Sequence, residues 1–244
     1  MRFGERELNP YAEPVSTSEL QEGSVCFAVN YVPGDMLIPI METLVFIGRN
    51  LEAGDVGKVY FQDVGSHRQG IRYDAGSTDE SEGHTATDVR GSVFSGSESQ
   101  VFHVFEFELA LDNLIRCSLR RMNLDTEITV RFEGRELKPH AEPVSASELR
   151  EGSVYFALNY VDDERLIPVM DTRVFIGRNL EADDEGKAYF QDVDSHRDGV
   201  RYDPADKDNW ATFYVDSENE LHHIFEYEQA LEELMKCSLR RRKV

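Results

Sequence analysis

Three cysteines, one tryptophan, 26 basic side chains and no long apolar run in 244 residues make this a chain of notable scarcities. An odd cysteine count is a poor basis for a disulfide framework. Cys117 and Cys237 fall at equivalent places on an amphipathic pattern, where a free thiol serves as a small apolar residue. The expectation is a reducing, cytoplasmic setting. No segment approaches the roughly 18 apolar residues of a membrane span, and MRFGERELNPYAEP has no apolar run behind a basic start. The chain also lacks a GxSxG elbow and a glycine-rich phosphate loop, since Gly48 and Gly177 in the two IGRN stretches read as lone glycines ending a strand. No catalytic set, metal site or cofactor is expected.

Acidic side chains are abundant. There are 47 against 26 basic ones, a formal net charge of −21. Residues 1–122 carry 10 basic and 19 acidic groups (−9), and residues 123–244 carry 16 and 28 (−12). A field of this sign repels nucleic acid and anionic membrane. It favours encounter with basic proteins, or serves only to keep the chain soluble.

The sequence repeats itself. Arg2 to Asp74 aligns without a gap onto Arg131 to Asp203 at an offset of 129, with 52 of 73 positions identical. Phe105 to Arg121 aligns onto Phe225 to Arg241 at an offset of 120, with 11 of 17 identical. A period near 120 residues is domain-sized, far beyond a solenoid unit. The reading is a tandem duplication with copies at 1–122 and 123–244, joined by Met122 to Ile128, too short and strand-like for a flexible linker. The two copies are expected to form an internal pseudo-dimer, with Leu124 to Phe132 lengthening the first strand of copy two.

Within each copy the pattern predicts an α+β fold, a largely antiparallel sheet of about five strands packed by one C-terminal amphipathic helix. Gly4-Glu5 and Glu133-Gly134 suit tight hairpins. Ser16-x-x-Glu19 and Ser145-x-x-Glu148 have capping-box spacing before a one-turn helix stopped by Gly23 or Gly152. Strands follow at Ser153 to Val161, at Leu166 to Ile176 with an interruption or edge near Pro168 (Pro39 in copy one), and at Lys187 to Val193. Trp210 to Val215 is a further strand, matched by Gly91 to Phe94. The closing helices are read from boxes at Ser97-x-x-Gln100 and Ser217-x-x-Glu220. Their apolar stripes are Val101, Val104, Phe105, Leu111, Leu114, Ile115 and Leu221, Ile224, Phe225, Leu231, Leu234, Met235, and both end in arginines that complement the helix dipole. The 75–100 segment of copy one, rich in Gly, Ser and Thr, is expected to be a loop nine residues longer than its counterpart.

Candidate chemistry is sparse. FQDVxSHR gathers Asp63 and His67, or Asp192, Asp194 and His196, yet no second His or Cys cluster has ligand spacing, and a Ser-capped surface turn explains the motif. His103-x-x-Glu106 and His223-x-x-Glu226 read as ordinary solvated pairs. Arg49 and Arg178 suit strand-end carbonyls or glutamates better than a ligand. What differs between the copies is more informative, because copy two gains acids in its presumed turns. Asp162, Asp163, Glu164, Asp183, Asp184, Glu185, Asp192, Asp194 and Asp198, with Trp210, are the candidate partner-binding residues. The expectation is a non-enzymatic acidic module that neutralises or sequesters a basic protein, a toxin or effector, on the analogy of bacterial toxin-immunity or inhibitor proteins. The alternatives are a hydrolase using the Asp/His/Arg set of FQDVxSHR and IGRN, and a structural scaffold whose acidity is only solubility.

Overall fold

The computed structural model describes residues 1–8, 14–34, 36–73, 93–97, 103–124, 130–206 and 210–243. Its first half holds strands β1 (Arg2–Phe3), β2 (Arg6–Leu8), β3 (Val25–Tyr31), β4 (Pro39–Arg49) and β5 (Lys58–Asp63), helix α1 (Val64–Arg68), β6 (Val93–Ser97), β7 (Val104–Phe105) and helix α2 (Phe107–Arg121). Next come β8 (Val130–Phe132), β9 (Arg135–Glu136), β10 (Val154–Tyr160), β11 (Pro168–Arg178), β12 (Lys187–Asp192), α3 (Val193–Arg197), β13 (Phe213–Ser217), β14 (Ile224–Phe225) and α4 (Tyr227–Arg241). The class is α+β with mostly antiparallel pairing. The chain forms two compact units: Met1–Pro10, Asn30–Met41 and Leu114–Val244 make the first, and Tyr11–Val29 with Glu42–Asn113 make the second. This division does not follow residue 122.

In the first unit the strand order is β14-β10-β11-β12-β13. β-Branched and aromatic residues fill both faces of the central strands. Tyr155, Ala157, Phe175, Ala188 and Phe190 form one buried cluster, with Phe175 and Phe190 edge to face at 5.4 Å. Helix α4 buries Tyr227, Ala230, Leu231, Leu234 and Met235, and its Tyr227 ring lies 5.1 Å from Phe156 of β10. Beside this sheet, β1 pairs with β9 and β2 with β8, bringing Phe3 against Phe132 at 6.1 Å, both rings buried. Strand β11 also meets β4 in register at Met170↔Met41.

The second unit repeats the order as β7-β3-β4-β5-β6. Its core is Cys26, Ala28, Leu44, Phe46, Val59, Phe61 and Val104, and the rings of Phe27 and Phe107 meet at 5.1 Å.

Several elements differ from the sequence reading for identifiable reasons. Gly4-Glu5 and Glu133-Gly134 are not hairpin turns, because β1 and β2 pair with β9 and β8 rather than with each other. Gly134 is needed for close approach: its φ is 83° and a Cβ there would sit 2.7 Å from the Phe3 carbonyl oxygen. Pro168 does not interrupt a strand; it starts β11, where a missing N–H breaks no ladder. The strand expected at Trp210–Val215 is Phe213–Ser217, with Trp210 ahead of it. Helix α4 does not start near Ser217. Leu221–His223 form a 3-10 turn, Ile224 and Phe225 are drawn into β14 by pairing with β10, and only then does the helix begin. His223 and Glu226 therefore share no helical face. The box at Ser145 and Glu148 does form, over the single 3-10 turn Ala146–Glu148. Gln100, Val101, the 75–92 part of the long loop, Gly91 and residues 125–129 of the linker and first strand lie outside the described residues.

Candidate functional site

Strand β11 organises the acidic turns of copy two, and it separates them. Asp162, Asp163 and Glu164 lie in the β10–β11 turn, whereas Asp183, Asp184 and Glu185 lie in the β11–β12 turn, at the other end of an eleven-residue strand. A strand of that length spans about 35 Å. The two groups do not form one patch. Asp192, Asp194 and Asp198 form a third group, on and around α3.

Three of these acids are already held by bonds within the fold. Asp162 accepts from the Leu166 and Ile167 amides at 2.8 and 2.6 Å and closes its turn. Asp184, nearly buried, pairs with Lys187 at 2.9 Å. Asp192 caps α3, accepting from the Ser195 amide and hydroxyl, and also accepts from the Thr212 amide at 2.8 Å. Asp163, Glu164, Asp183, Glu185, Asp194 and Asp198 are exposed.

The α3 group is the one bonded to the segment that carries an exposed tryptophan. Asp192 bonds Thr212 through its side chain, and its amide donates to the Thr212 carbonyl at 3.0 Å, which holds Thr212, two residues after Trp210, beside the start of α3. Trp210 is 56% exposed. Asp194 and Asp198 are four residues apart and share one face of the turn. Partial burial, then the neighbouring Asp192 and Asp198 charges, raise the Asp194 carboxyl above its ordinary range. Asp192, Asp194 and Asp198 concentrate negative charge on and around α3, and Thr212, bonded to Asp192, follows Trp210 by two residues.

A cavity of about 470 Å³ opens behind α3, lined by Glu151, Ile176, Leu180, Gln191, His196 and Tyr202. Its wall depends on a bulge. The β11–β12 register shifts between Phe175 and Gly177, and Gly177 has φ 149° with a Cβ position only 2.9 Å from Leu180, so only glycine lets Leu180 fold over the strand. Gly177 thus marks a bulge one residue before β11 ends at Arg178. Burial, then the Arg201 charge, hold the His196 imidazole below its usual range. The Tyr202 hydroxyl donates to Glu181, a bond that pushes it up to about 12.

A second cavity, of about 610 Å³, escaped the sequence reading. It sets Asp162 and Asp163 with His140, His222, His223 and Lys236. Lys236 is buried in ion pairs with Glu233 at 2.8 Å and Glu232 at 3.7 Å. The available signal was Glu232-Glu233-x-x-Lys236 on a helix face otherwise apolar.

Two members of the hydrolase alternative have partners within the fold. Arg178 pairs with Glu218 at 2.7 Å and donates to the Ala146 carbonyl, and Asp192 is the cap. Among the described residues no group of three or more His, Cys, Asp or Glu is arranged to hold a metal ion, and no helix is long and apolar enough to cross a membrane. The three cysteines are free and buried, and burial, followed by the Glu106 charge, pushes the Cys26 thiol up to about 11. Comparison with known proteins finds no matching family model, curated protein or solved structure.

Proposed function

We propose that this chain is a non-enzymatic acidic binding module that captures a basic protein through the α3–Trp210 corner of its second repeat. The observation that carries the reading is the exposed Trp210, two residues ahead of Thr212, whose amide is held by Asp192 of the α3 acidic group. An indole contributes a large contact area at low entropic cost, and acids around it speed the encounter with a cationic surface and reject anionic ones. Asp183, Glu185, Asp163 and Glu164 lie on other turns and add to the long-range field rather than to the contact. The partner class is a basic toxin or effector, by analogy of charge and size with immunity and inhibitor proteins, and nucleic acid and anionic membrane are disfavoured by a net charge of −21.

The two repeats are proposed to descend from a tandem duplication and to act as an internal pseudo-dimer. Support comes from pairings that join equivalent positions: Arg2↔Glu136 mirrors Glu7↔Arg131, and Met41 faces Met170, each at the offset of 129.

Affinity capture from the native host, followed by kinetics of the isolated partner at two salt concentrations, tests the function. Trp210→Ala is expected to raise the off-rate by tenfold or more, the ~1.4 kcal/mol and above of a hot-spot aromatic. An off-rate indifferent to Trp210→Ala, or a partner that is itself acidic, contradicts the reading.

A further inference from the structure

The cavity of about 610 Å³ gathers cations in a chain whose net charge is −21. Arg165, Lys236 and Arg240 line it against Asp162, Asp163 and Glu233, an even count of charges. Their bonding is uneven. Asp162 gives one carboxylate oxygen to the Leu166 amide at 2.8 Å and the other to the Ile167 amide at 2.6 Å. Glu233 Oε1 accepts from Lys236 at 2.8 Å and from the Ala141 amide at 3.2 Å. The donors are less occupied. Arg165 is exposed, and its guanidinium lies over the Tyr160 ring at 6.0 Å with no hydrogen bond or ion pair among the described residues. Arg240, partly exposed, lies over the same ring at 5.2 Å. It donates from Nε to the Arg165 carbonyl and from Nη2 to the Tyr160 hydroxyl, and its Nη1 has no partner among the described residues. His140 and His222, both exposed, line the same cavity, and neither ring has a hydrogen bond among the described residues. Two guanidinium groups on one ring repel each other, and an anion held by both removes that repulsion.

The difference between the repeats falls on the same place. The Arg–Tyr stack is shared, since Arg120 lies over Tyr31 at 5.0 Å as Arg240 does over Tyr160. His140, Arg165 and His222, however, stand where copy one has Tyr11, Met36 and Phe102, at offsets of 129, 129 and 120. Copy two has therefore added three N–H donors around one stack. Of the acids gained at this cavity, Asp162 and Glu233 are the bonded ones and exposed Asp163 is the one left over. Solubility explains acids scattered over turns, but not three basic or imidazole side chains placed at one cavity of the more acidic repeat.

We infer that this cavity binds the phosphate group of a small molecule, a site separate from the α3 residues assigned to a protein partner. Its donors come from four segments: the bend at Pro139-His140, the β10–β11 turn, the 3-10 turn Leu221–His223 and α4. A phosphate monoester carries roughly −1.5 to −2 charge and three acceptor oxygens, which take bonds from several directions, whereas a carboxylate is satisfied by a single arginine fork. The volume exceeds that of a phosphate group and falls among the roughly 300–1,000 Å³ of small-molecule sites. Tyr160 and Phe225 supply ring surface for the rest of the ligand. Acids elsewhere on the chain oppose an anion weakly, because their field is screened beyond about 8 Å at physiological salt.

The test titrates the intact chain with phenyl phosphate and with inorganic phosphate, using phenol and succinate as controls, by calorimetry and by NMR of the histidine ring signals. One saturable site per chain is expected, with the His140 and His222 signals shifted and phenyl phosphate at least about tenfold tighter than either control, the size of one charge-assisted hydrogen bond. Arg165→Met installs the residue that copy one carries at the matching left-handed position, φ 57° for Arg165 and 53° for Met36, so the turn is kept. It should weaken phenyl phosphate about tenfold or more while leaving the melting temperature unchanged. His140→Tyr with His222→Phe, again the residues of copy one, should weaken it further and leave the fold intact. No saturable binding of either phosphate, succinate binding as tightly as phenyl phosphate, or an affinity indifferent to Arg165→Met overturns the inference. Trp210→Ala should leave phosphate affinity unchanged, and a loss in that variant would likewise overturn the assignment to this cavity.

Discussion

Helices α1 and α3 are five residues each and stand on the same frame. Asp63 accepts from the Ser66 amide at 2.8 Å, as Asp192 does from Ser195, and Gln62 and Gln191 tie each helix to the loop that follows. Their surfaces differ. Where α1 has Gly65 and Gln69, α3 has Asp194 and Asp198, and only Asp192 extends its bonding to a segment bearing a tryptophan. Two acids shared by the repeats, Asp55/Asp184 and Asp63/Asp192, are held in turn geometry, whereas most of the acids that appear only in copy two are exposed. Shared residues build the frame and divergent ones dress it, and Asp162 is the exception, since it replaces Pro33 yet bonds its own backbone. This division separates acidity that folds the chain from acidity available to a partner.

Attacking the shared frame should have the largest effect, equal in both repeats. Gly48→Ala and Gly177→Ala each place a Cβ at 2.8–2.9 Å from a leucine in a backbone region reserved for glycine, with an expected loss of about 1–3 kcal/mol or more in urea denaturation. A loss at only one of the two glycines would break the equivalence. Next, removing the caps sharpens the comparison: Asp63→Ala should cost about 1 kcal/mol and Asp192→Ala about 2, because the latter also frees the Thr212 amide. Equal costs would mean that Thr212 is not anchored as described.

Acidification probes the histidines common to both frames. Burial first, and then a nearby arginine, lower His67 and His196 in the folded chain. A depressed folded pKa means that the stability is fully present above the unfolded value of 6.5 and is lost as the pH falls through the folded values. Melting temperature should therefore drop between pH 7 and pH 5, and His67→Asn with His196→Asn should flatten that dependence. An unaltered slope in the double variant would assign the pH effect elsewhere. Smallest of all, Asp194→Asn and Asp198→Asn should move stability by no more than about 0.5 kcal/mol, since they dress a surface.

Much of the frame was legible in sequence because local chemistry decides it. The Ser145/Glu148 box, the β10 and β12 strands and the basic ends of α2 and α4 follow from side chains a few residues apart. What was illegible depends on distant partners. Nothing near Gly4 or Gly134 says that β1 will pair with β9, and the stripe through Ile224 and Phe225 continues that of α4 although β10 claims those two residues for a strand. The candidate site divides the same way. Exposed Asp194, Asp198 and Trp210 were visible as differences between repeats, whereas the bond from Asp192 to Thr212 depends on the β12–β13 pairing, and the cavity at Gln191 requires the Gly177 bulge.

The most direct test of the central claim is the association rate of the captured basic partner with two charge-reversed chains, Asp194→Lys/Asp198→Lys and the equivalent Gly65→Lys/Gln69→Lys. Measured at low and physiological salt, reversal on α3 should slow association about tenfold or more and flatten its salt dependence, while the same lysines on α1 should act only through net charge and leave the rate within about twofold. Equal slowing by both pairs, or by neither, would contradict the assignment of binding to the α3–Trp210 corner.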